Sequence, residues 1–267
     1  MLAFDHLVHI VGCTPKEAEK QMKERGFHTV QGGEHTNWGT WNSLSYFDLS
    51  YIEFLAVQHE DKAKQADNPL VQETVEKLQD REGMLQIALR TNHIEALAVQ
   101  LAEKGLQVKG PFEGMRMRND GYLIKWKMLF VEQEESSPKL PFFIQWEESD
   151  ENRRLDLQKV GVIASHRNEV KEIQTIYYAV KNVRETVDRW KEILEVQVTS
   201  PENHRDWNAL CQSILLGNVN VQFCEPIGEG FVQEQLFKHG EYPFAVEFQG
   251  TNKQKNRTDV LGSSYIY

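Results

Sequence analysis

The chain is poor in cysteine, has no excess of positive charge and contains no long hydrophobic run. Cys13, Cys211 and Cys224 are odd in number and form no CxxC pair. That argues against a disulfide framework or a thiolate zinc site and fits a reducing cytoplasm. Lys and Arg total 30 against 40 Asp and Glu, a net charge of −10. Such a balance repels phosphate backbones and anionic bilayers, so neither nucleic acid nor membrane is an expected partner. The apolar start MLAFDHLVHIV is broken by Asp5, His6 and His9 and is too short for a membrane span, so it reads as a first strand. There is no GxSxG elbow, Walker loop or HExxH, and GEGF (228–231) lacks a third glycine, so no nucleotide cofactor is expected.

What the chain does carry is a repeated word. Thr14, with Pro15 and then Glu17, forms a capping box after the strand FDHLVHIV. Asn92 with Glu95 and Asn182 with Glu185 repeat it after MLQIALR and IQTIYYAV. Apolar stripes follow at helical spacing, then three short strands each time, so βαβββ is written three times. A fourth unit starts near 232, with a further cap expected at Thr251 and Gln254, and is cut short. PLVQETVEKLQ reads as a connecting helix near 69–81, EQEESSPKL (132–140) as a polar hairpin loop, and EESDENRR (147–154) as an exposed link between halves.

Strand alternation predicts Phe4, His6 and Val8 on one face of the first strand and Asp5, Leu7 and His9 on the other. In SYIEFLAV, Glu53 shares a face with Tyr51 and Leu55, and a carboxylate among apolar neighbours must be paired, metal-bound or protonated. An imidazole and a carboxylate from the first and last strands of one unit suit Zn, Fe, Ni or Mn, although a strand histidine is more often a hydrogen-bonded core residue.

DHLVHIV with its capped helix, GGEHTNWGTWNSL followed by YIEFLAV, then ALRTNHIEALAVQLAEKG, RMRNDGYLIKWKM and LPFFIQW resemble the glyoxalase-like domains of the vicinal oxygen chelate superfamily. The resemblance covers residues 4–147, with 155–267 as a divergent second pair of units. It implies an α+β fold of βαβββ modules paired into curved mixed sheets around a pocket, with residues 1–150 forming one glyoxalase-like domain. It also implies a divalent metal held by residues from first and last strands. The matching positions are His6 and Glu53, with Gln145 on the last strand of the second module, where a neutral amide is a poorer ligand than a carboxylate.

The resemblance also places GGEHTNWGTWNSL at the pocket. His35 is then a candidate acid or base near neutrality, Glu53 a second catalytic candidate, and Trp38 a substrate contact. Because WNSL (41–44) recurs as WNAL (207–210), Trp41 and Asn42 read as structural. Arg116 and Arg118 can grip an anionic substrate through their guanidinium forks. Two functions follow: a metal-assisted lyase, isomerase or dioxygenase-like enzyme acting on a small molecule, or a metal-free protein that sequesters a small apolar ligand. The truncated fourth unit leaves a strand edge that either a second chain, in a homodimer, or the N-terminal half must cover.

Overall fold

A computed structural model describes residues 2–118, 120–132, 138–251 and 255–267. The first module is β1 (Ala3–Ile10), α1 (Pro15–Glu24), β2 (Val30–His35), β3 (Thr40–Phe47) and β4 (Ser50–Val57). Two connecting helices follow, α2 (Glu60–Lys64) and α3 (Pro69–Lys77). The second module is β5 (Gly83–Arg90), α4 (Ile94–Glu103), β6 (Gln107–Met117), β7 (Leu123–Glu132) and β8 (Phe142–Trp146). After α5 (Asp150–Lys159) comes the third: β9 (Val170–Ala179), α6 (Val183–Leu194), short strands β10 (Gln197–Val198) and β11 (Glu202–His204), β12 (Ala209–Leu216) and β13 (Val219–Pro226). A connecting helix, α7 (Phe231–His239), leads to the fourth, which keeps β14 (Pro243–Gly250), β15 (Arg257–Val260) and β16 (Ser263–Ile266).

The modules pair through their first strands. β1 runs antiparallel to β5, and each is flanked by the last strand of its own module in parallel. The resulting sheet, β2-β3-β4-β1-β5-β8-β7-β6, curls until its edges approach, with Gly33 of β2 packed against the Met117 carbonyl of β6. A second sheet, β10-β12-β13-β9-β14-β16-β15, repeats the pattern with β9 and β14 at its centre. The convex faces and helices share one apolar core, in which Leu7, Phe27 and Phe54 meet Ile176, Phe248 and Tyr265. The concave face of the first sheet has its own core, built on Val8, Ile10, Leu55 and Met128.

The caps at Thr14 and Asn182 form as their chemistry dictates. Several expectations are corrected. Asn92 caps nothing: α4 begins after His93, and the Ile94 N–H is satisfied by Gln145 Oε1 at 2.8 Å. The supposed link at 147–154 enters helix α5, capped by Ser149, with Arg153 and Leu157 turned inward. Asp5 lies on the same side as His6, because a bulge between Phe4 and His6 gives the strand an extra residue and reverses the alternation before it. GGEH forms the second half of β2. Cys211 and Cys224, opposite each other on β12 and β13, are disulfide-bonded, a pairing that the odd cysteine count concealed. Part of the hairpin loop at 132–140 and Gln254 of the fourth cap lie outside the described residues.

Candidate functional site

The concave face of the first sheet lines a narrow cleft. Its walls are apolar, from Leu55, Leu70, Val71, Met128 and Ile144, and its floor is polar. β1 supplies His6, β4 supplies Glu53, β3 supplies Asn42, and the end of β2 supplies His35.

These side chains form one chain of contacts. Asp5 Oδ1 accepts from His6 Nδ1 at 2.7 Å, and Asp5 Oδ2 accepts from Trp146 Nε1 at 3.0 Å. Burial pushes the Asp5 carboxyl up, but the His6 hydrogen bond and the charges of His6, Arg153 and Arg90 outweigh it and hold Asp5 below its usual value. Asp5 is therefore ionised and fixes the ring, leaving His6 Nε2 aimed at Glu53 Oε2, 3.6 Å away. Glu53 Oε1 is held by Asn42 Nδ2 at 2.6 Å.

Arg116 decides which way Asn42 points. A guanidinium only donates, so its bond of 3.2 Å to Asn42 Oδ1 makes Nδ2 the donor to Glu53 and to His35 Nε2, the latter at 3.3 Å. His35 Nε2 is then unprotonated and Nδ1 donates to Thr40 Oγ1 at 2.9 Å. Burial between Trp38 and Trp126 lowers the His35 pKa to about 4, against the opposing pull of Glu53. His35 is thus neutral at pH 7 and orients Asn42; the expectation that it titrates near neutrality is corrected.

The structure brings together His6, Glu53, His35, Trp38 and Arg116, all of which line the cleft. It leaves Gln145 out: that side chain caps α4 on the other face of β8, and Ile144 occupies the position facing the cleft. Arg118 lies in the next cleft and is bound by Asp120 and Asp156. Asn42, which the WN repeat marks as structural, stands at the centre of the network. Glu53 pairs with Leu44 as Gln222 pairs with Ser213, so the residue equivalent to Asn42 is Cys211, and Trp207 corresponds to Trp38. The matching letters are out of register with the fold.

A metal fits this donor set only in part. A separation of 3.6 Å lets His6 Nε2 and Glu53 Oε2 face one ion, and Asp5 behind the ring is the kind of support that metal-binding histidines receive. Catalytic zinc sites, however, take three protein ligands, and no group of three His, Cys, Asp or Glu is placed to hold an ion among the described residues. The residues present therefore do not complete the metal site that the resemblance implies.

A curled sheet of paired βαβββ modules, with an imidazole and a carboxylate on its concave face, defines a protein of the vicinal oxygen chelate class. The model of the glyoxalase-like domain family matches residues 4–194, and the chain belongs to that family. No curated protein matches it in sequence. Among solved structures, a hypothetical protein from Staphylococcus aureus is similar over 100% of this chain and 98% of its own, at 25% identity and a TM-score of 0.79. A mutant of 4-hydroxymandelate synthase from Streptomyces coelicolor aligns with 93% of this chain and 71% of its own, at 9% identity and a TM-score of 0.58, a likeness of fold alone. No helix among the described residues is long and apolar enough to cross a membrane.

Proposed function

We propose that the N-terminal cleft binds a small molecule and moves a proton on it, with Glu53 as the base. The observation that carries this reading is the fixed carboxylate. Asn42 holds one oxygen, while the other faces an apolar space and the His6 ring backed by Asp5. Proton abstraction beside a carbonyl needs a positioned base and a positive group near the oxygen that gains charge. Glu53 Oε2 would take the proton, the C–H electron pair would form the enolate C=C bond as the carbonyl π pair moves onto oxygen, and Arg116 would face that charge. His6 Nε2 is placed to share the proton. No metal step enters, because the donor set is incomplete.

The test is incorporation of deuterium from D2O into a panel of small 2-oxo acids and aryl ketones, followed by proton NMR. Wild type should exchange the protons beside the carbonyl of one class, and Glu53→Gln should slow that exchange by about 10²- to 10⁴-fold. Exchange that survives Glu53→Gln would refute the assignment.

A second reading, sequestration without chemistry, is favoured by the apolar walls from Leu55, Leu70 and Val71. It requires tight binding that Glu53→Gln leaves unchanged and no deuterium uptake with any probe.

A further inference from the structure

Beside the first cleft lies a second, beneath the β6–β7 hairpin and α5. Arg116 and Trp146 line both, so the two clefts share a wall. Its own contributions include Tyr46 from β3 and Arg153 from α5.

Arg153 sets this cleft apart. It is only 6% exposed, lies 4.0 Å over the Trp146 ring, and its Nη1 has no hydrogen-bond partner. A carboxylate of Asp150 lies 3.6 Å from it but is hydrogen-bonded by Arg90 at 2.9 Å. Arg116 is 7% exposed, and its hydrogen bond goes to the neutral oxygen of Asn42. The other cations of the cleft are engaged: Arg118 with Asp120 and Asp156, and Lys125 with Glu147. Buried guanidinium groups without hydrogen-bonded carboxylates are costly unless something supplies the missing oxygens. The hydroxyl of buried Tyr46 feels both arginines, whose charges oppose the upward push of burial and of the Asp5 and Glu53 charges on its pKa.

We propose that the second cleft is a subsite for an oxyanion, a carboxylate or a phosphate, carried by a ligand whose apolar part lies in the first cleft. Arg153 and Arg116 supply the positive charge, and Trp146 supplies the flat wall between the two parts. The subsite rests on the first cleft being a ligand site, as proposed above, and names the substrate class: an apolar organic anion. Planar guanidinium groups match the two oxygens of a carboxylate or phosphate, a fit that an ammonium does not reproduce.

The test is calorimetric titration of the full chain with 3-phenylpropionate, phenyl phosphate and neutral 3-phenylpropionamide. One or both anions should bind at least about tenfold more tightly than the amide, and the tighter of the two identifies the source of the oxyanion. Arg153→Gln should weaken the anion by about tenfold or more, with Arg153→Lys between it and wild type. Arg184→Gln, which removes the same charge from exposed α6, controls for net charge and should leave binding unchanged. Should Arg153→Gln fail to fold, Arg153→Lys and the amide comparison still decide. Equal binding of amide and anions, or anion binding indifferent to both Arg153 variants, overturns the subsite. Glu53→Gln separates the two proposals: if exchange survives it while Arg153-dependent binding persists, the base assignment fails and the subsite stands.

Discussion

Lowering the pH from 7 towards 4.5 is expected to destabilise the protein strongly, with stability lost between about pH 6.5 and pH 4. Burial depresses His9, His35 and His166 from 6.5 to about 4. Each ring is neutral in the fold because burial disfavours its charged form, and its hydrogen bonds fit the neutral tautomer. His9 Nδ1 accepts from the Tyr265 hydroxyl and its Nε2 donates to the Leu261 carbonyl. His166 Nδ1 accepts from the His28 N–H and its Nε2 donates to the Tyr46 carbonyl. Above pH 6.5 both folded and unfolded chains hold these rings neutral and no penalty exists. As the pH falls, the unfolded chain binds protons that the folded one refuses, so stability declines until about pH 4. For His9 and His35 the loss is roughly 3 kcal/mol each, and His166 acts in the same direction. Against a typical total of about 5–15 kcal/mol, that is a large share of a domain's stability. Two of the three rings join the N-terminal half to residues beyond α5, so the contact between halves should loosen first. Thermal unfolding at pH 7, 6 and 5 measures this; a midpoint that stays constant would refute it, and His9→Gln should flatten part of the slope.

Gly32→Ala is expected to disable the first cleft while leaving the fold. Gly32 lies at the β2 bulge between Gln31 and Gly33. A Cβ there would sit 1.9 Å from Asn42 Oδ1 and 2.3 Å from Arg116 Nη1. No such contact is tolerable, so the Asn42–Arg116 bond must open, and with it goes the arrangement that fixes Glu53. Overpacking of this kind costs about 1–3 kcal/mol of stability. The functional loss should be larger, about a hundredfold in exchange rate, because a base displaced by an ångström loses its alignment. Gly12→Ala is the control, since the nearest atom to its new Cβ is 3.8 Å away. Exchange at the wild-type rate in Gly32→Ala would show that the Asn42 network does not position the base.

The repeat was legible because its signals are local. Thr14 and Asn182 cap helices through their own side chains, and each stripe that follows needs only helical spacing to be recognised. The cleft was legible at His6, Glu53, Trp38 and His35, which lie on strands whose order the resemblance supplied. What escaped depends on register. The bulge that turns Asp5 beside His6 leaves no mark in the letters, and alternation counted through it puts Asp5 on the wrong face. Gln145 matched a ligand position by alignment, but a shift of one residue exchanges the faces of a strand, and Ile144 is the residue that looks inward. Asn42 was lost to a chance WN match three residues out of structural register. Helix α5 was hidden by its charge: only Arg153 and Leu157 turn inward, and Ser149, capping the Asn152 N–H, was the signal that could have found it.

The six tryptophans offer the most direct test that the working cleft lies in the N-terminal half. Trp38, Trp126 and Trp146 line it, whereas Trp190 and Trp207 are buried in the C-terminal half. Their indole N–H signals can be assigned in ¹⁵N-labelled protein by single substitutions to Phe and followed through a titration with 3-phenylpropionate. Saturable shifts are expected at Trp38, Trp126 and Trp146 and none at Trp190 or Trp207. Shifts confined to Trp190 and Trp207 would contradict it.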